Sequence, residues 1–81
     1  MDEEEILEAL SSGEFVVTIH GLERMLQRRV LEIDIVSAAK SCSMIFKQNH
    51  GTWKIDGLDT HNSPLTVIAA EESGVVIVTV Y

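Results

Sequence analysis

The chain has 81 residues, 46% of them hydrophobic and 23% charged, which predicts one small domain with enough apolar side chains for a core. This composition excludes a disordered or low-complexity chain, and the single cysteine excludes an intramolecular disulfide and a cysteine-rich zinc site. The formal net charge of −7 makes the chain as a whole a poor non-specific binder of nucleic acid.

The acidity is concentrated at the start of the chain. The first 14 residues hold six of the 13 acidic side chains and no basic one, so residues 15–81 carry a net charge of only −1. Residues 2–11 are predicted to form a helix, with Asp2 as N-cap and glutamates in the first turn, where the helix dipole favours anions. The acidic run is interpreted either as a solvated first turn or as a flap that shields a basic surface elsewhere.

Residues 15–19 are apolar and β-branched, and they predict either a brief strand or an extended lead into a second helix at about 20–29. At 100° per residue, Arg24 and Arg28 fall about 40° and 80° from His20 around that helix. The helix is therefore predicted to present these three side chains on one accessible face. We expect the apolar side chains on the other side to be buried, namely Leu22, Met25 and Leu26.

A third helix is predicted at about 32–41, with Ile33 and Val36 at helical spacing. Four strands follow, at about 44–48, 52–58, 64–70 and 75–81. Short connections rich in glycine and polar residues join them, so strands that are neighbours in the chain are antiparallel. The predicted fold is α+β, with N-terminal helices packed on a four-stranded antiparallel β-meander.

The last strand has no polar alternation before Thr79, which is typical of a central strand covered on both faces. Simple alternation along this strand predicts two sets of side chains on opposite faces. These sets are Val76, Val78 and Val80 on one face, and Ile77 and Thr79 on the other.

The strongest candidate for chemistry is the row of His20, Arg24 and Arg28. Metal-independent cleavage of RNA needs an acid–base group for the 2′-hydroxyl and the leaving oxygen, and cations for the charge that develops on the phosphate. One histidine and two arginines on a helix face supply parts of this machinery. The same spacing is common on solvated helix faces, so a purely structural interpretation stays open.

Other reactive side chains give weaker signals. His50 and His61 fall in predicted turns, and no histidine has the spacing of a metal-binding motif, so neither a metal nor another cofactor is predicted. Cys42 lies beside Lys40, which could lower its pKa, although cysteines are commonly buried and inert. Trp53 is interpreted as a packing residue rather than a stacking platform.

The segment from Thr18 to Arg28 resembles the opening of a widespread bacterial family, the domain of unknown function 4258, whose pattern is T-x-H-[A/G]-x-x-R-M-x-x-R. The segment from Val76 to Tyr81 resembles the V-x-V-T-x-Y close of that family, and the resemblance covers about residues 15–81. It implies a fold similar to the RelE-like and barnase-like ribonuclease toxins. It also implies one catalytic site lined by four residues, which are His20, Arg24, Arg28 and Tyr81.

The sequence features agree with two different functions. We predict a non-catalytic binding or interaction module on a RelE-like scaffold, because the chain is acidic and the helix face offers a single acid–base group. The alternative is a metal-independent ribonuclease of toxin–antitoxin type that acts on RNA. The partner is accordingly an antitoxin-like protein or RNA.

The N-terminal residues and the single cysteine indicate the cellular compartment of the protein. Met-Asp-Glu-Glu-Glu lacks the positive region and apolar stretch of a signal peptide, and no apolar run approaches the roughly 20 residues of a membrane helix. A lone thiol is typical of a reducing compartment. A cytoplasmic protein that does not enter the membrane is therefore expected.

Overall fold

A computed structural model describes residues 1–81 and contains three helices and five strands. The helices are α1 (Glu3–Ser11), α2 (Ile19–Arg28) and α3 (Glu32–Lys40). The strands are β1 (Phe15–Val17), β2 (Met44–Lys47), β3 (Trp53–Leu58), β4 (Pro64–Glu71) and β5 (Val75–Val80). The predicted α+β class is confirmed. No helix has the length and apolar character needed to cross a bilayer.

The strands form one mixed sheet in the order β1-β5-β4-β3-β2. The four predicted strands form an antiparallel meander, β2 to β5, but the prediction of a four-stranded, wholly antiparallel sheet is wrong because a fifth strand, β1, joins it in parallel. β1 pairs in parallel with β5, with Phe15 opposite Val75 and Val17 opposite Ile77. The other neighbouring strands are antiparallel. A parallel pair needs a long crossover connection, and here all the elements from α2 to β4 lie between the two strands.

The three helices and the sheet share one core, in which the buried side chains of both layers form a single cluster. α3 packs on β3 and β4, α1 packs on α3 and β5, and α2 packs on β5. The fully buried large side chains are Ile6, Leu10, Ile35, Ile55, Leu65, Val67, Ile77 and Val80. Side chains that alternate with these along the strands lie on the opposite face of the sheet, which no helix covers.

β5 is a near-central strand, as predicted, with β1 on one side and β4 on the other. The predicted alternation fails after Ile77 because a β-bulge interrupts the β4–β5 register. Ala69 pairs with Ile77 whereas Val67 pairs with Val80, so Ile77 and Val80 share the buried face. Val76 is only half-buried on the helix-free face, so the strand is not covered on both faces.

α1 begins with a capping box. The Asp2 carboxylate accepts a hydrogen bond from the Glu5 N–H at 2.9 Å, and the Glu5 carboxylate accepts one from the Asp2 N–H at 3.0 Å. The only ion pair in the structure joins the Met1 amino group to Glu71 at 2.8 Å, so no glutamate of α1 pairs with an arginine. The acidic run is therefore a capped first turn, and no ion pair supports its interpretation as a shielding flap.

The end of α2 is strained at Arg29, which adopts the left-handed conformation with φ of 56°. A residue with a Cβ is destabilised there by about 1 kcal/mol, and glycine is the usual residue at such helix ends. We expect Arg29→Gly to raise the free energy of unfolding by about 0.5–1 kcal/mol in urea denaturation. Arg28→Gly, at the last residue of the helix, is the control and lowers stability by up to about 1 kcal/mol. A lower stability of Arg29→Gly would contradict this account.

Candidate functional site

Thr18 fixes the N-terminus of α2 against β5. Its Oγ1 accepts a hydrogen bond from the Gly21 N–H at 2.9 Å and donates one to the Val78 carbonyl at 3.3 Å. Its own N–H donates to the Ile77 carbonyl at 3.1 Å. One N-cap residue thus ends β1, begins α2 and holds the first helical turn to the sheet.

Gly21 and Met25 form the side of α2 that contacts the sheet. A Cβ on Gly21 would lie 2.8 Å from the Ile77 carbonyl oxygen, so the missing side chain lets the helix approach β5 closely. The expected burial holds only for Met25, which is 4% exposed, because Leu22 and Leu26 are 52% and 71% exposed. The reason is that the contact is centred on Gly21 and Met25, and both leucines lie to one side of it.

His20, Arg24 and Arg28 lie on successive turns of α2, on the other side of that contact. His20 and Arg28 are exposed and Arg24 is half-buried. No side chain of the three takes part in a hydrogen bond or an ion pair within the chain, including Arg24 with the nearby Glu23. The row spans about 12 Å along the helix axis, from the rise of 1.5 Å per residue.

The charge of the molecule is segregated around this row. Residues 19–29 hold three of the six basic side chains and one of the 13 acidic ones, which gives a net charge of +2 against −9 for the rest. α1 lies at the other end of the sheet, because the Met1 amino group contacts Glu71 and the chain leaves α1 at Phe15, opposite Val75. α2 is therefore a basic helix on an acidic molecule, and its arginines are not neutralised internally.

Tyr81 does not lie beside His20, Arg24 and Arg28 but near Lys54 and Phe46. Its ring is 6.0 Å from Lys54 Nζ, and the Phe46 ring is 5.7 Å from the same nitrogen. Lys54 alternates with the buried Trp53 and Ile55, so this group lies on the helix-free face of the sheet. No hydrogen bond joins Tyr81 to the side chains of the α2 row. Sequence reasoning missed Lys54, because its pairing with Phe46 depends on the register of β2 and β3, and Tyr81 approaches it from the far end of the chain.

A second polar cluster joins α3 to the β3–β4 loop. Oxygens of Asp34 and Asp59 and a ring nitrogen of His61 all lie within 4.8 Å of one another. The carboxylate of the buried Asp34 accepts hydrogen bonds from the Leu31 N–H at 2.8 Å and from the N–H of Thr60 at 3.0 Å. The Thr60 hydroxyl donates to it as well. These hydrogen bonds from Leu31 and Thr60 account for the position of the Asp34 carboxylate, which holds the β3–β4 loop against α3.

The pKa of Asp34 reflects this environment. Burial acts to raise the pKa, but the hydrogen bonds from Leu31 and Thr60, together with the nearby His61, outweigh burial and hold the pKa below its ordinary value. The sequence analysis above does not predict a role for Asp34. Its position three residues after the N-cap Leu31, where a side chain reaches back to the N-cap N–H, is the signal that could have found it.

The remaining candidates lie in three separate environments. Trp53 is 5% exposed and its Nε1 donates to Glu71 at 3.1 Å, which confirms its interpretation as a packing residue. Cys42 is half-buried, and burial raises the pKa of its thiol. His50 is exposed in the β2–β3 turn.

Comparison with known proteins gives no match, either to a family model, to a curated protein or to a solved structure. The resemblance to the domain of unknown function 4258 and to RelE-like toxins therefore stays a prediction. The residues of the proposed motif divide into two groups in the structure. Thr18, Gly21 and Met25 build the contact between α2 and β5, whereas the side chains of His20, Arg24 and Arg28 take part in no hydrogen bond or ion pair.

Proposed function

We propose that the protein is a non-catalytic binding module that holds a phosphate-bearing polymer, such as RNA, on the α2 face of His20, Arg24 and Arg28. The observation that carries this proposal is that none of these three side chains takes part in a hydrogen bond or an ion pair within the chain. Arginine is suited to the role because its planar fork donates two hydrogen bonds to one phosphate and stays charged at cellular pH.

The separation of charge supports binding at one place on an acidic molecule. A polyanion is repelled by most of the surface and attracted by the segment with a net charge of +2. Binding is then weak, dependent on salt and restricted to α2. The RelE-like scaffold predicted from the sequence is part of the proposal, and an antitoxin-like partner is not needed for it.

Binding without cleavage is favoured over the ribonuclease alternative. Cleavage at the 2′-hydroxyl needs a base and an acid, and the row of His20, Arg24 and Arg28 offers His20 as its only group of this kind. Tyr81, the other side chain predicted for the site, contacts Lys54 on the helix-free sheet face. The ribonuclease alternative requires that Tyr81 or another acid–base group reach a phosphate bound at Arg24.

The test is fluorescence anisotropy with a labelled single-stranded RNA at low and rising salt. If the two arginines of the row contact phosphates, the logarithm of the association constant falls with the logarithm of salt concentration with a slope of about −1.4, from about −0.7 for each contact. The RNA is recovered afterwards and its length determined. Intact RNA agrees with the binding module, and cleavage that is lost in His20→Gln supports the ribonuclease. The absence of salt-dependent binding would contradict both.

Arg24 is the centre of the row, so we expect Arg24→Ala to weaken RNA binding about tenfold or more, from about 1.5–3 kcal/mol for a hydrogen bond to a charged group. Arg24→Lys restores only part of the affinity, because a point charge cannot replace the planar fork. Lys40→Ala on α3 removes the same charge elsewhere and is the matched control. The stability of Arg24→Ala changes by less than about 1 kcal/mol. Equal losses in Arg24→Ala and Lys40→Ala would show that only total charge matters.

A further inference from the structure

The β3–β4 loop and the start of α3 bring three metal-ligating side chains together. Asp34 lies in the first turn of α3, and Asp59 and His61 belong to the loop, residues 59–63. One oxygen of each carboxylate and one ring nitrogen of His61 lie within 4.8 Å of one another. The set differs from a purely acidic patch, because an imidazole nitrogen beside carboxylate oxygens is a combination that zinc and similar transition metal ions prefer.

The spacing of these three atoms leaves room for an ion. No hydrogen bond or ion pair joins the His61 ring to either carboxylate, so the three groups are close without contacting one another. Donor atoms on one Zn²⁺ lie about 3.4 to 4.2 Å apart, because each is about 2.1 Å from the metal. The His61 side chain is exposed, so a small rotation brings its nitrogen to this spacing.

The charge of the cluster is not balanced by the chain. Asp34 is 4% exposed, and no lysine or arginine forms an ion pair with it or with Asp59. The hydrogen bonds from Leu31 and Thr60 satisfy oxygens of Asp34 but carry no full positive charge. Buried charges in proteins are either paired with an opposite charge or bound to a metal. This observation is independent of the ligand spacing, and a divalent cation would neutralise both carboxylates.

Hydrogen bonds orient both carboxylates and leave acceptor sites free. Asp59 Oδ1 accepts from the N–H groups of His61 at 2.8 Å and Ser63 at 2.9 Å, and no hydrogen bond reaches its Oδ2. Asp34 accepts three hydrogen bonds, whereas a carboxylate offers about four acceptor sites. A cation can therefore bind without the loss of a hydrogen bond, and outer partners of this kind orient the ligands of known metal sites.

We propose that Asp34, Asp59 and His61 bind a divalent transition metal ion of the zinc type. The chain supplies three ligands, and water fills the remaining positions on the exposed side of the loop. The ion ties the loop to α3 and stabilises the folded state. Mg²⁺ is not expected to replace it, because Mg²⁺ prefers oxygen ligands in octahedral geometry. The site shares no residue with the α2 row, so it is measured without RNA and its failure is separate from that of the proposed function.

The experiment is isothermal titration calorimetry of the full chain, free of a histidine tag and stripped of metal with EDTA. Zn²⁺ is added at about pH 7.5, where a free imidazole is neutral. The expected result is one Zn²⁺ bound per chain, with a melting temperature that rises with Zn²⁺ concentration because the ion binds the folded state. Nuclear magnetic resonance of the histidine ring nitrogens is expected to show a change at His61. Mg²⁺ is expected to produce neither effect.

The variants separate this site from other histidines on the surface. His61→Ala removes the nitrogen ligand and is expected to weaken Zn²⁺ binding about 100-fold or more, since the loss of an outer partner alone costs about 10- to 100-fold. His50→Ala is the matched control, because His50 is also an exposed turn histidine and lies outside the cluster. Asp59→Asn keeps the Oδ1 acceptor of the loop and removes the charge, and it is expected to weaken binding about tenfold or more.

Circular dichroism verifies that the three variants keep the fold. A wild-type chain that binds no Zn²⁺ in a saturable way would overturn the proposal. Binding that survives in His61→Ala, or that is lost equally in His50→Ala, would overturn it as well. Ring-nitrogen changes at His20 without a change at His61 would place the ion elsewhere and have the same consequence.

Discussion

Replacing Gly57 by alanine is expected to lower the free energy of unfolding by about 3 kcal/mol or more, at the upper end of the range for overpacked cores. A Cβ at this position would lie 2.0 Å from the carbonyl oxygen of Ala38 and 2.7 Å from its carbonyl carbon. Both are backbone atoms of α3, so the clash is relieved only when the whole helix moves away from β3. Such a movement opens the core between the fully buried Ile35 and Ile55.

Urea denaturation monitored by circular dichroism measures this effect. Gly51→Ala is the control, because Gly51 has φ of 78° and a Cβ there would meet no atom within 4 Å, so only the backbone conformation is strained. That strain lowers stability by about 1–2 kcal/mol. If Gly57→Ala destabilised the protein no more than Gly51→Ala, the close packing of α3 on β3 would be refuted.

The second large effect is expected at Asp34, whose carboxylate accepts hydrogen bonds from Leu31 and Thr60. Asp34→Ala leaves two N–H groups and one hydroxyl without their acceptor, and we expect a loss of about 3 kcal/mol in the free energy of unfolding. Asp34→Asn keeps one acceptor oxygen, so its free energy of unfolding falls by less than that of Asp34→Ala. Amide exchange at Thr60 and Leu31 identifies the cause, because both protons lose protection in Asp34→Ala if they depend on this carboxylate.

The dependence of stability on pH follows from the lowered pKa of Asp34. The folded protein binds this proton less readily than the unfolded chain, whose Asp pKa is about 3.9, so the unfolded state is favoured as Asp34 becomes protonated. The contribution of Asp34 is present above about pH 4 and is lost as pH falls through the lowered pKa. In Asp34→Asn the fall in stability below pH 4 is expected to be shallower than in the wild type. An unchanged slope would show that other carboxylates control acid unfolding.

Local sequence signals predicted the helices and the strands of the hairpins. Glycine and polar turns mark where β2 to β5 begin and end, and helical spacing marks α1 and α2. The pairing of β1 with β5 was not predictable in this way, because Phe15 and Val75 are far apart in the chain and no short connection joins their strands. The bulge in β5 was missed for a related reason, since nothing in a run of β-branched residues indicates where the register shifts.

The charged row of α2 was predictable from spacing, and the buried side of the helix was not. Hydrophobicity places Leu22 and Leu26 in the core, whereas Gly21 defines the contact with β5. A glycine inside a helix was the signal that a backbone approaches closely at that point. The same error concealed the exposure of Leu22 and Leu26, which is a property of the packing and not of hydrophobicity.

The central claim, that the α2 face of His20, Arg24 and Arg28 binds a phosphate-bearing polymer, is tested most directly by nuclear magnetic resonance with ¹⁵N-labelled protein and a short single-stranded RNA at low salt. The account predicts that chemical shifts change along α2 and at the side-chain Nε of Arg24 and Arg28, and that added salt reverses the changes. Shift changes centred on Lys54 and Tyr81 of the helix-free sheet face, or none at all, would contradict it.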